Sequence, residues 1–198
     1  MAEDSLFPAG ALQLVEDEEG GIRFWPDAVA AGDAGRWFAE LRDRVPWKSE
    51  RRPMYDRVVD VPRLLASFRL DAVPPGLQSL QGIAAAVRGR IDAPFNAVGL
   101  NLYRHGDDSV AMHNDKLHTL MPGQPIAIVS LGATRRMGIR AKAAPRRAIH
   151  IDLAPGSLLA MSHASQLRYE HGIPKTRSAV GARISVVYRV RPGRHLPD

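Results

Sequence analysis

Apolar positions recur at helical spacing between Asp27 and Val45, where Val29, Ala30, Trp37, Phe38, Leu41 and Val45 share one face and Pro46 follows as a stop. The pattern predicts one amphipathic helix there. Pro74-Pro75 opens a second helical stretch, Gly76 to Ile91, with Leu77, Leu80, Ile83 and Val87 on its apolar face. From Phe95 onward the period shortens. Runs bounded by Gly, Pro and Asp predict strands over Ala97–Tyr103, Pro125–Leu131, Arg136–Ala141, Ala148–Leu153, Ser157–Met161 and Arg183–Val190. Helices first and closely spaced strands afterwards predict an α+β chain. Its core is a double-stranded β-helix, or jelly roll, with N-terminal helices covering one face. An open mixed sheet is the alternative.

Composition narrows this picture. A chain of 198 residues, 45% apolar, supports one substantial core, so residues 1–198 are expected to form a single domain. The net charge of +6 (27 Lys and Arg against 21 Asp and Glu) favours a polyanionic partner such as nucleic acid. Without cysteine there are no disulfides, thiol nucleophiles or thiolate metal sites, and a metal would be held by His, Asp or Glu. Met1 to Gly10 carries Glu3 and Asp4 in place of a basic, then apolar, leader, and no window approaches a membrane span. A cytoplasmic monomer is the expectation.

One constellation carries chemistry. His113-Asn114-Asp115 puts an imidazole and a carboxylate two residues apart, on the same side of an extended backbone. A third ligand has two candidates, His171 in His171-Gly172-Ile173-Pro174 and His163 just after a predicted strand. Two His and one carboxylate form the facial triad of non-haem iron(II) oxygenases, which leaves coordination positions open. Downstream, strict alternation over Arg183-Ile184-Ser185-Val186-Val187-Tyr188-Arg189 sends both arginines to one face. Their Cα atoms are about 20 Å apart at strand rise. A guanidinium matches a carboxylate bidentately, so a dicarboxylate reached from both positions suits this face. Asn101 and Tyr103, two apart on another predicted strand, likewise face one way and can donate to carboxylate oxygens.

Taken in order, Asn101-Leu102-Tyr103, the Gly106-Asp107-Asp108-Ser109 turn, His113-Asn114-Asp115, Val129 to Arg135, Gly156-Ser157-Leu158-Leu159, His171-Gly172-Ile173-Pro174 and the Arg183/Arg189 spacing resemble the AlkB family of nucleic acid dealkylases. The resemblance implies Fe(II) held by His113, Asp115 and His171, which removes His163. It also implies 2-oxoglutarate held by Asn101, Tyr103, Arg183 and Arg189, with dioxygen as the second co-substrate. The catalytic core would span about residues 95–191, preceded by a nucleotide-recognition lid at about 45–70. There Arg51, Arg52, Met54 and Tyr55 would meet the substrate, Tyr55 by stacking on a flipped base. Lys48, Arg135, Arg136, Arg140 and Lys142 are further candidates for phosphate contact.

The implied activity is oxidative removal of alkyl groups from bases such as 1-methyladenine, 3-methylcytosine or etheno adducts in DNA or RNA, single strands preferred. One position departs from the family: Leu117 stands where members acting on methylated adenine or cytosine commonly carry an acid. That departure supports one rival, an oxygenase acting on a protein or small molecule; a second rival is a non-catalytic nucleic acid binding module, against which the intact triad and both arginines argue.

Overall fold

The computed structural model describes residues 10–54 and 57–193, and the side chains of 52–59 are outside the description. Two β-sheets face each other. The larger has eight strands in the order β1-β2-β10-β7-β12-β5-β4-β3, and the smaller has four, β6-β11-β8-β9. In chain order the elements are β1 (Leu12–Val15), β2 (Ile22–Trp25), α1 (Ala31–Arg44), β3 (Lys48–Met54), β4 (Arg57–Arg69), α2 (Ser79–Arg88), β5 (Ala97–Tyr103), β6 (Val110–His113), β7 (Ile126–Gly132), β8 (Arg135–Ala141), β9 (Ala148–Leu153), β10 (Leu158–Met161), α3 (His163–Arg168), β11 (Tyr169–Ile173) and β12 (Arg183–Arg189). Every strand pairing among the described residues is antiparallel. This is the jelly-roll architecture expected from the pattern.

Period-two alternation divides the large sheet into two apolar faces. One face presents Val98, Leu100 and Leu102 of β5, Ala127, Val129 and Leu131 of β7, and Ile184, Val186 and Tyr188 of β12 to helices α1 and α2, which bury Leu41, Leu80, Ile83 and Val87 against them. The Tyr188 hydroxyl, whose ionisation burial disfavours, donates to the Leu80 carbonyl at 2.7 Å and ties strand to helix. The opposite face meets the small sheet through a second core that includes Ile126, Ile128, Leu159 and Val187 on one side and Met137, Ile139, Leu153 and Ile173 on the other. The functional residues sit within and at the edge of this second layer.

The expectation that helices precede all strands is corrected. Among the described residues four strands lie before residue 95, and the stretch at 45–70 contains the long hairpin β3–β4 that extends the large sheet beside β5. Between Asp60 and Leu64 the hairpin register shifts, so that one residue of β3, Glu50, faces the three residues Val61-Pro62-Arg63 of β4. Pro62 cannot donate to a ladder and is accommodated in that bulge, where its carbonyl accepts from Ser109 N at 2.9 Å.

Candidate active site

Each sheet contributes one half of the site. In the small sheet His171 of β11 is the direct cross-strand partner of His113 at the end of β6, and their ring centroids are 4.6 Å apart. Gly172 permits this closeness, because a Cβ there would lie 2.9 Å from the Val110 carbonyl oxygen. Past the end of β6 the chain turns and brings in Asp115. One ligand atom from each of His113, Asp115 and His171 lies within 4.8 Å of the others, a group that could hold a metal ion. His163 opens α3 and is not in this group.

Protonation states suit ligation. The His113 Nδ1 faces the Ala111 carbonyl at 2.9 Å, a contact that places the proton on Nδ1 and leaves Nε2 as the free donor atom. Burial, reinforced by His113 nearby, pushes His171 down to about 4, so its imidazole is neutral near pH 7. Burial works against the Asp115 carboxylate, but Arg189 overrides it and holds Asp115 below its ordinary range. That pairing is bidentate, Nε to Oδ2 at 2.6 Å and Nη2 to Oδ1 at 3.2 Å. Two imidazoles and one carboxylate are the donor set of a non-haem iron(II) centre.

The large sheet supplies a row of side chains along β12 and β5. Tyr103 stands opposite Arg183 and Asn101 opposite Ser185. Arg183 is fully buried. Its Nε donates to Ser130 Oγ at 2.8 Å, and the guanidinium lies 5.3 Å from the Tyr103 ring centroid. Both terminal nitrogens, Nη1 and Nη2, are buried beside the Tyr103 hydroxyl and have no other hydrogen-bond partner among the described residues. Burial pushes this guanidinium down to about 10, still a cation at neutral pH. A buried cation with a free fork is a costly arrangement that an anionic ligand would relieve. The residues present therefore fit both an iron ion and a carboxylate co-substrate.

A cavity of about 1070 Å³ connects the His113, Asp115 and His171 cluster with the Asn101 and Tyr103 part of the row, and Arg183 stands beside Tyr103 behind that lining. Asn101, Tyr103, His113, Asp115, His171 and Arg189 line it, with Ser185, Ile126, Ile128, Met137 and Ile173 between them and Lys48, Glu50, Asp60 and Arg63 on the hairpin wall. The Asn101 amide oxygen accepts from Arg63 Nε at 2.9 Å, and Arg63 also donates to the Ser109 carbonyl at 3.2 Å. Sequence reading missed Arg63, whose only signal is its place directly after the bulge proline. It missed Asn114 and Gln166 as well. Asn114 donates to the carbonyls of Gln166, at 2.6 Å, and Tyr169, and fully buried Gln166 accepts from the Asp115 amide at 3.3 Å.

Several expected substrate contacts are engaged elsewhere. Arg135 is buried, and its guanidinium donates to the carbonyls of His105, Asp108 and Pro174, which removes it from phosphate contact. Arg136 pairs with Asp152, Arg140 with Glu170, and Lys142 caps the carbonyls of Gln166 and Leu167. Lys48 lines the cavity and is exposed. Arg51 on β3 is exposed and pairs with Asp60 at 3.3 Å. Arg52 and Met54 lie on β3 with their side chains outside the description, and Tyr55 lies outside the described residues. Leu117 packs against the core between the sheets.

Residues 65–189 match the model of the 2OG-Fe(II) oxygenase superfamily. Human DNA oxidative demethylase ALKBH2 is 34% identical over 122 residues, 58% of this chain, which spans 47% of that relative's length. Human alpha-ketoglutarate-dependent dioxygenase alkB homolog 3 is 27% identical over 205 residues, covering 94% of this chain and 69% of the relative. These are AlkB homologues, as the ordered motifs implied. A crystal structure of a 2OG-Fe(II) oxygenase family oxidoreductase from Burkholderia pseudomallei superposes with a TM-score of 0.60 at 16% identity, covering 85% of this chain and 84% of that one, and shares the fold. With the matched region covering most of the chain and both halves of the site inside it, the chain belongs to the 2OG-Fe(II) oxygenase superfamily, whose chemistry runs on Fe(II), 2-oxoglutarate and dioxygen.

Proposed function

We propose that this protein oxidatively removes alkyl groups from nucleic acid bases, with His113, Asp115 and His171 holding Fe(II). The observation that carries the reading is one cavity lined both by a two-His, one-carboxylate cluster and by Asn101 and Tyr103, with the buried Arg183 guanidinium directly beside Tyr103. Arg183 would take the distal carboxylate of 2-oxoglutarate, Tyr103 and Asn101 would line its path, and Arg189 would contribute from the metal end. When bound, the iron and its co-substrates supply the oxidant that hydroxylates the alkyl carbon. The resulting hemiaminal collapses to free base and aldehyde. The protein's part is to orient the base, exclude water and hold the ligands in their reactive protonation states.

Substrate class is supported by three features. Both human relatives compared above carry the AlkB homologue name, and the printed name of one is DNA oxidative demethylase. The net charge is +6. The cavity, at about 1070 Å³, exceeds what a five-carbon dicarboxylate fills and leaves room for a flipped base. Flipping from duplex costs a few kcal/mol, so single-stranded DNA or RNA would be the better partner. Arg51, Arg52, Met54 and Tyr55 on and beyond β3 would contact it. Leu117, turned into the core, offers no polar group to an exocyclic amine, which favours testing etheno adducts beside methylated bases.

The test is succinate formation by iron-loaded protein with 2-oxoglutarate, with and without single-stranded oligonucleotides carrying 1-methyladenine, 3-methylcytosine or an etheno base. Stimulation together with loss of the lesion mass is the expected result. Succinate formed at one rate with every oligonucleotide would keep the oxygenase and exclude nucleic acid as its substrate.

A further inference from the structure

Asp115 lies on a loop past the end of β6, outside any strand ladder, and its carboxylate is drawn toward Arg189. A metal ligand so placed needs something to hold its backbone. Two side chains do this from one direction. Asn114 spends both amide protons on the carbonyls of Gln166 and Tyr169, bridging the end of α3 and the start of β11. Gln166, with no exposed surface, turns its Oε1 back to accept from the Asp115 amide at 3.3 Å and its Nε2 toward the Met161 sulfur at 3.5 Å.

Helix α3 has only six residues, too few to be stable by itself. It is held by the acidic turn between β1 and β2. The Asp17 carboxylate accepts from the Ser162 hydroxyl at 2.5 Å, Glu19 accepts from the Ala164 amide at 2.6 Å, and Glu18 pairs with Arg168 at 2.7 Å. The Ser162 amide donates to the Gly21 carbonyl at 2.9 Å. A line of hydrogen bonds therefore runs from the N-terminal hairpin through α3 to the metal loop.

We infer that Gln166 and Asn114 are positioning residues for Asp115, and that the turn at 17–19 with α3 forms a brace setting the metal affinity of the site. The inference rests on the metal assignment above. Groups behind the ligands orient them, and their loss typically weakens metal affinity about 10-fold to 100-fold. Without the brace Asp115 would follow Arg189, with fewer of its oxygen positions turned to the two imidazoles.

The experiment measures Mn(II) binding to the full chain by the electron paramagnetic resonance of the free ion. It is run on the parent protein, Gln166→Leu, Asn114→Ser, His113→Ala and Ile83→Val, each with a thermal melt. Ile83 lies on the buried face of α2, on the helix side of the large sheet and outside the cavity lining, so its variant reports a loss of stability alone. Gln166→Leu and Asn114→Ser are expected to raise the Mn(II) Kd about tenfold or more, while Ile83→Val lowers Tm and leaves Kd unchanged. Should Gln166→Leu fail to fold, Asn114→Ser decides. A lowered Tm with parental Kd in the brace variants would make them merely structural and overturn the proposal. Absent binding by the parent, or parental binding by His113→Ala, would overturn the metal assignment and the brace with it.

Discussion

Arg183 and Arg189 stand six residues apart on the same face of β12, and the fold treats them in opposite ways. Arg189 is satisfied within the chain, both oxygens of Asp115 accepting its fork in a pair with about 16% and 10% of the side chains exposed. Arg183 is more deeply buried, yet it has no carboxylate partner: its Nε donates to Ser130, and its two terminal nitrogens have no partner beyond the Tyr103 hydroxyl among the described residues. A guanidinium the protein satisfies itself holds a neighbour in place, while one left open in a buried setting is arranged for a ligand. Gly99 shows how closely the first is fitted, since a Cβ there would come within 2.9 Å of Arg189 Nη1.

The comparison breaks most visibly at Asp115. Asp115→Ala removes the carboxylate of the metal cluster and leaves Arg189 without its partner. Succinate formation, followed by mass spectrometry, is expected to fall to background while circular dichroism retains the β signature. His113→Ala is expected to do the same with Arg189 still paired. Turnover surviving in either variant would detach the cluster from the reaction.

Arg183→Met tests the open fork. Two charge-assisted hydrogen bonds of about 1.5–3 kcal/mol each imply a rise of at least about a hundredfold in the 2-oxoglutarate requirement. Affinity for a single-stranded oligonucleotide should stay near the parental value. Because the replaced cation is unsatisfied, Tm of the ligand-free protein is expected to hold or increase. A larger effect on oligonucleotide binding than on 2-oxoglutarate would reassign Arg183 to phosphate contact.

Arg189→Met gives the contrasting outcome. Removing one partner of a buried ion pair leaves the Asp115 charge uncompensated, at a cost of about 3 kcal/mol. For a chain of this size that is a fall in Tm of roughly 6–12 °C. A melt unchanged in Arg189→Met, beside one lowered in Arg183→Met, would invert the assignment of the two arginines.

The two arginines also show how much of the site was legible. Strict alternation in β12 is visible in the letters, since its residues toward the helices are all apolar, and the same holds for β5. Which arginine finds a partner was not legible, because Asp115 comes from the other sheet. The strands before residue 95 escaped detection for local reasons. β3 reads Lys-Ser-Glu-Arg-Arg-Pro-Met with no apolar alternation, as an edge strand tolerates, and β4 carries Pro62 in its bulge. β6 is only four residues long and β11 includes Gly172. The cluster of His113, Asp115 and His171 was readable because its spacing is local at one end and its motif ordered at the other. Asn114 and Gln166 were not, since contacts across 51 and 52 positions leave no periodic trace.

The smallest predicted effect separates cations the fold has consumed from those it leaves exposed at the cavity. Arg136 and Arg140 both lie on β8 and are paired with Asp152 and Glu170. Lys48 and Lys116 are exposed and line the cavity. Only a cation that neutralises a phosphate releases a counterion on binding, so Lys48→Ala and Lys116→Ala are each expected to reduce the slope of log affinity against log salt by about 1. Arg136→Ala should leave that slope unchanged, and because its ion pair is exposed, stability should move by less than about 1 kcal/mol. If Arg136→Ala flattened the salt dependence and the two lysines did not, the nucleic acid would cross the outer face of the small sheet, and the hairpin wall would lose its place in recognition.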